Sequence, residues 1–151
     1  MKDDLAKDSL LSHTGLLFGT GASHFQIHDA LPSPIHSFVM WQKYLQSVNP
    51  LSKLVHAPTM QLQIINANKD PDAISPPMAA LLFAIYAAAI MSMKEAECLS
   101  DMGESRRPLW EKFISAAQKA FVAADLMKSR SLTLLQAFAI YLVSSSSPHE
   151  Q

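Results

Sequence analysis

Met78 to Met93 is the longest apolar stretch in the chain, interrupted only by Ser92, and nothing else in the sequence restricts the fold as much. At 16 residues it falls short of the ~20 needed to cross a bilayer. Ala79, Ala80, Ala84, Ala87, Ala88 and Ala89 dominate it, so its burial in lipid would contribute little, whereas small side chains let neighbouring backbones approach closely. Ser75 is a capping residue, and Pro76-Pro77 places prolines in a first helical turn, where missing N–H groups cost nothing. The spacing predicts a helix from Met78 to about Cys98. Because apolar residues lie on every side of it, this helix should be central and buried, and the rest of the chain must cover it.

Several amphipathic segments can do so. From Pro34, the residues Ile35, Phe38, Trp41, Leu45 and Val48 recur at spacings of three and four, giving a helix that ends near Asn49-Pro50. Residues 50–59 read as a proline-bounded connector with a short helix at its centre. Met60 to Asn68 leans to helix, although its β-branched residues leave strand open. Asn68 to Asp72 is turn chemistry, and Ser100 to Arg107 is a second loop, broken at Gly103. Trp110, Phe113, Ala117, Ala120, Ala124 and Met127 form the clearest stripe, opposed by Glu111, Lys112, Gln118, Lys119 and Asp125. Ser131 caps a last helix, Leu132 to Val143, in which Thr133 and Gln136 are the only clearly polar residues. That helix needs cover on more than one face: either earlier helices wrap it or its partner lies elsewhere. The expected architecture is all-α, with about five to six helices around the alanine-rich one. An irregular segment spans 1–33, a helical domain 34–144 and a polar tail 145–151.

Composition removes several classes of function. Twelve Lys and Arg against thirteen Asp and Glu leave a net charge of −1, so the chain has no basic field to neutralise phosphates, and direct nucleic-acid binding is not expected. The single cysteine, Cys98, can form neither an intramolecular disulfide nor a multi-cysteine zinc site, which fits a reducing compartment. Met1 to Asp4 carries both signs of charge and leads into no apolar run, the wrong pattern for a secretory signal. No membrane association is expected. With 49% hydrophobic and 17% charged residues, the chain is more apolar than an ordinary domain, and some of that excess should face a partner.

Candidate chemistry is sparse. Gly15 to Gly21 superficially suggests a phosphate loop but lacks the lysine and hydroxyl residue that such a loop needs. His24, His28 and Asp29 are close enough in sequence to suggest a metal site or an oriented general base, yet no third strong ligand accompanies them and ordinary surface histidines explain them. His36 and His56 are solitary, and His56 should bond to a backbone carbonyl. Cys98 reads as a buried structural thiol. Glu95 and Glu97 are two apart on a helix and face different ways, so they make a poor catalytic pair. Asp70-Pro71-Asp72 is explained as a solvated turn. Arg106-Arg107 is the one basic concentration, and pairing with Asp101 and Glu104 accounts for it.

The order of certain blocks resembles the fungal-specific transcription factor domain, the middle homology region of binuclear zinc-cluster regulators. These blocks are Leu16-Leu17-Phe18-Gly19, the helix holding Trp41 and Tyr44, Val48-Asn49-Pro50-Leu51, and His56-Ala57-Pro58-Thr59. The later blocks, 81–93, 120–125 and 131–143, agree with it, so the likeness covers residues 14 to 144. It departs from the family in two ways. The family reads DNA through six cysteines holding two zinc ions upstream of this region, and its domain continues beyond the helix matching 131–143 through further helices. The resemblance therefore implies only the N-terminal half of a regulatory region.

What it implies is a nuclear, non-catalytic module that modulates transcription through protein or small-molecule contacts. It implies no cofactor in this chain, zinc belonging only to the upstream module. Its partner would be another protein or the remaining half of the domain, received on Leu132, Leu135, Phe138, Tyr141 and Leu142, with a small-molecule effector as a further ligand. An alternative is a stand-alone truncated homologue acting as a small-molecule binder or enzyme in secondary metabolism, for which His24, His28, Asp29 and His56 are the first residues to test. A third reading is a short chain that pairs with a full-length regulator through the last helix.

Overall fold

The computed structural model describes residues 26–145, and these form eight α-helices and no strand. They are α1 (Ile27–Ala30), α2 (Pro34–Ser47), α3 (Asn49–Ser52), α4 (Ala57–Lys69), α5 (Pro76–Ser92), α6 (Glu95–Met102), α7 (Arg106–Ala123) and α8 (Leu132–Ser145). A single 3-10 turn, Pro71–Ala73, links α4 to α5.

The helix starts follow local chemistry. Ser33 accepts from the His36 N–H at 3.3 Å, Ser75 from the Met78 N–H at 3.4 Å and Ser131 from the Leu134 N–H at 3.3 Å. Each hydroxyl satisfies an amide that its helix leaves without a partner. α4 begins at Ala57-Pro58, and the residues of 60–68 that left strand open are helical throughout. Ile64 and Ala67 face the core while Leu62 is exposed.

α5 is the axis of the fold. Every residue from Ala79 to Ile90 is buried, and α2, α7 and α8 all pack against it. Its alanines are what allow three helices to surround one. Larger side chains fill the gaps between them. The Tyr86 ring lies 5.6 Å from Phe113 of α7, and the Tyr86 hydroxyl meets Ser37 Oγ of α2 at 2.7 Å. Burial pushes the Tyr86 phenol up to about 12, against the smaller opposing effect of the Ser37 bond.

The expected single helix from Met78 to about Cys98 is two helices. The chain turns extended at Met93 and Lys94 and restarts as α6 at Glu95. Apolar periodicity does not register such a break, because Met93 and Cys98 are both buried on either side of it. Long-range polar contacts hold it open. The Arg106 guanidinium of α7 donates to the carbonyls of Ile90 and Met91 at the end of α5. In return the Glu95 carboxylate accepts from Ser105 Oγ at 2.8 Å and from the Arg106 backbone N–H at 3.3 Å. One residue thus closes the end of α5 while another caps the start of α7.

This arrangement also corrects the loop expected over 100–107. α6 runs to Met102, and the turn is confined to Gly103–Ser105, where Gly103 takes a left-handed φ of +73° that favours glycine. The stripe expected to reach Met127 ends earlier, at Ala123, where Asp125 adopts a φ of +55° and Met127 is exposed. The short helix of the 50–59 connector sits at its start, over Asn49–Ser52.

Candidate partner surface

α8 lies along α5, burying Leu134, Ala137, Ile140, Tyr141 and Ser144. Three polar contacts fix its rotation. Gln118 Nε2 donates to the Tyr141 hydroxyl at 3.0 Å, Trp110 Nε1 to the Ser144 carbonyl at 3.1 Å and Gln136 Nε2 to the Leu54 carbonyl at 2.8 Å. Edge-on contacts of Phe121 with Tyr141 and Phe138, at 5.4 and 5.8 Å, lock the same face.

The five residues offered by the sequence as one surface therefore divide. Tyr141 is 1% exposed and Phe138 only partly exposed, both held by Phe121. Leu132, Leu135 and Leu142 point outward with 71%, 62% and 49% exposure, and Val143, not among the five, joins them at 54%. The division follows from helical geometry: positions 134, 137, 141 and 144 share one stripe, and 132, 135, 142 and 143 lie off it. With nearly every residue apolar, nothing in the sequence says which stripe turns inward. The earlier helices cover one face of α8 and leave the other bare.

The remaining candidates do not converge. His24 and the Gly15–Gly21 run lie outside the described residues, as does the Leu16–Gly19 block of the resemblance. His28 meets Asp29 at 3.1 Å and Asp72 at 3.4 Å, all three side chains well exposed, and among the described residues no group of His, Cys, Asp and Glu is arranged to hold a metal ion. His36 and His56 stand apart from them on α2 and before α4. His56 Nδ1 lies 2.8 Å from Thr59 Oγ1, so the imidazole meets a hydroxyl and not the backbone carbonyl anticipated for it. Cys98 is fully buried, and desolvation first, then the nearby Glu95 charge, pushes its thiol up, away from the reactive thiolate. Glu95 and Glu97 engage different partners, Ser105 with Arg106 and Lys43 respectively. The pairing expected for the two arginines is also different: Arg107 bonds Glu111 at 3.3 Å and Arg106 clamps α5, while Asp101 and Glu104 bond neither.

Several fungal transcription factors align with this chain, among them the following three. The aurofusarin cluster transcription factor aurR2 of Gibberella zeae is 41% identical over 113 residues, 75% of this chain and 17% of its own length. The transcriptional regulator AacuB of Aspergillus aculeatus is 36% identical over 129 residues, 85% of this chain and 18% of its own. The C6 finger domain transcription factor adaR of Aspergillus niger is 29% identical over 151 aligned positions, 95% of this chain and 19% of its own. The chain belongs to the fungal zinc-cluster transcription factor family. It spans less than a fifth of the length of these relatives. No family model matches the chain, and no solved structure does. Among the described residues, no helix is long and apolar enough to cross a membrane.

Proposed function

We propose that this chain is a regulatory, non-DNA-reading part of a zinc-cluster transcription factor, acting in the nucleus through contacts with protein. The observation that carries the reading is the alignment of 75–95% of the chain with named transcriptional regulators. The Gibberella zeae relative is named for the aurofusarin cluster, and transcriptional control of a cluster is the role carried over to this chain.

In this reading the outward face of α8, Leu132, Leu135, Leu142 and Val143, receives a further helical part of the regulator. The relatives extend far beyond the matched segment, and a helix with apolar residues on both faces is the kind that a second layer of helices covers. No cofactor is needed in the chain, and zinc would be held only by a separate DNA-reading module.

The test places the chain between a heterologous DNA-binding module and an activation segment and measures reporter output. Output several-fold below that of the direct fusion is expected; equal output contradicts a regulatory role. In the same experiment the isolated chain should give no shift of duplex DNA in a gel.

A further inference from the structure

A groove of about 360 Å³ runs between α2 and the junction of α5 with α6, on a different part of the molecule from the outward residues of α8. Its walls combine Phe38, Val39 and Met93 with Lys43, Glu97 and Asp101. We propose that it binds a small amphiphile made of an apolar body and a cationic amine.

The size argues for a small molecule, since such sites commonly enclose about 300–1,000 Å³ with mostly apolar walls and few polar groups. The charge argues for its sign. Lys43 Nζ lies 2.9 Å from Glu97 Oε1 and 3.0 Å from Oε2, so the one cation of the groove is held by the carboxylate across it. Asp101 stands one turn beyond Glu97 on α6 and has no ion partner among the described residues, which leaves the groove with one negative charge in excess. An anionic ligand would meet that charge and have to break the Lys43–Glu97 pair. A cationic amine can sit against Asp101 with the pair intact. α2 buries Ser37, Met40, Trp41 and Tyr44 and not the whole expected stripe, so that Ile35 is 75% and Phe38 39% exposed, and Phe38 gives the apolar body an aromatic wall to lie on. The groove also reaches Met93 at the break, so an occupant touches α2, the junction after α5, and α6, beside the bend that Arg106 maintains. This last point deepens the regulatory reading and rests on it, because it makes the amine an effector.

The full 151-residue chain is titrated with dansylcadaverine, whose free end is a primary amine, and separately with dansylglycine, whose free end is a carboxylate. Dansylcadaverine should bind saturably at one site with enhanced fluorescence, and dansylglycine about tenfold more weakly or not at all. Asp101→Asn, at an exposed position where the fold is unaffected, should weaken the amine about fivefold, with the difference shrinking in high salt. Phe38→Ala should weaken it about tenfold, and Leu135→Ser on α8 should leave it unchanged. Failure of the amine to bind, equal binding of the two probes, indifference to Asp101→Asn, or loss of binding in Leu135→Ser would each overturn the proposal. The titration needs no transcription readout. A reporter effect without amine binding removes the groove and leaves the regulatory reading, and amine binding without a reporter effect does the reverse.

Discussion

α5 and α8 look alike as sequences, two apolar helices with hardly a polar residue between their ends, yet they occupy opposite positions in the energetics of the fold. α5 is enclosed by α2, α7 and α8, and a dozen consecutive side chains from Ala79 to Ile90 are shielded from water. α8 is enclosed on one side only and presents three leucines and a valine on the other. Small side chains account for the first case, since six alanines keep α5 thin enough to be surrounded. Leu132, Leu135 and Leu142 prevent the same for α8, because bulky outward residues need a partner layer that residues 26–145 do not provide. An apolar helix is thus a statement about how much must be covered, not about what covers it.

The difference between the two helices can be broken by substitution. The largest effect should come from α5: Phe83→Ala, at a fully buried position, is expected to cost about 3–5 kcal/mol in urea unfolding, by lost burial and the cavity left behind. If it cost no more than an outward α8 substitution, α5 would not be the axis of the fold. Next comes the clamp that ends α5. Arg106→Ala removes the donors to the Ile90 and Met91 carbonyls and should cost about 1–3 kcal/mol, with faster amide exchange across residues 90–98.

Ser37→Ala should cost about 1–2 kcal/mol by leaving the Tyr86 hydroxyl buried without its partner, and Tyr86→Phe on the same background should recover part of the loss. The same tyrosine sharpens the comparison through pH. Its folded value, about 12, lies above the ordinary 10.0, so between those two values the folded chain holds a proton that the unfolded chain has released. Stability contributed by the neutral phenol is fully present below pH 10 and falls as pH rises towards 12. Tyr44 and Tyr141 are raised in the same direction by burial, so Tyr86→Phe should flatten the alkaline decline without abolishing it, as urea midpoints across that range would register. The smallest effect on stability belongs to α8, where Leu135→Ser should change the unfolding free energy by no more than about 0.5 kcal/mol.

Much of this was legible in the residues. The alanine content of 79–89, the serines at 75 and 131 and the stripe through Trp110, Phe113, Ala117 and Ala120 are local signals, and the helices they announce are there. Family membership was legible too, in the order of blocks and not in any one of them. What local pattern did not carry were the features set by residues far apart in sequence. The break after Ser92 depends on Arg106, the groove on Lys43 meeting Glu97, and the rotation of α8 on Gln118, Trp110 and Leu54. Phe138 and Tyr141 could not be told from Leu135 and Leu142 because the helix is apolar all round, and only the position of Phe121 decides between them.

Reporter output from the fusion described above, with Leu132, Leu135 and Leu142 all changed to serine, tests most directly whether the bare side of α8 is where regulation is exerted. The account predicts output returning towards that of the direct fusion while the melting temperature and helical content of the chain stay at the parent's values. Unchanged repression in a variant whose fold is intact would contradict it.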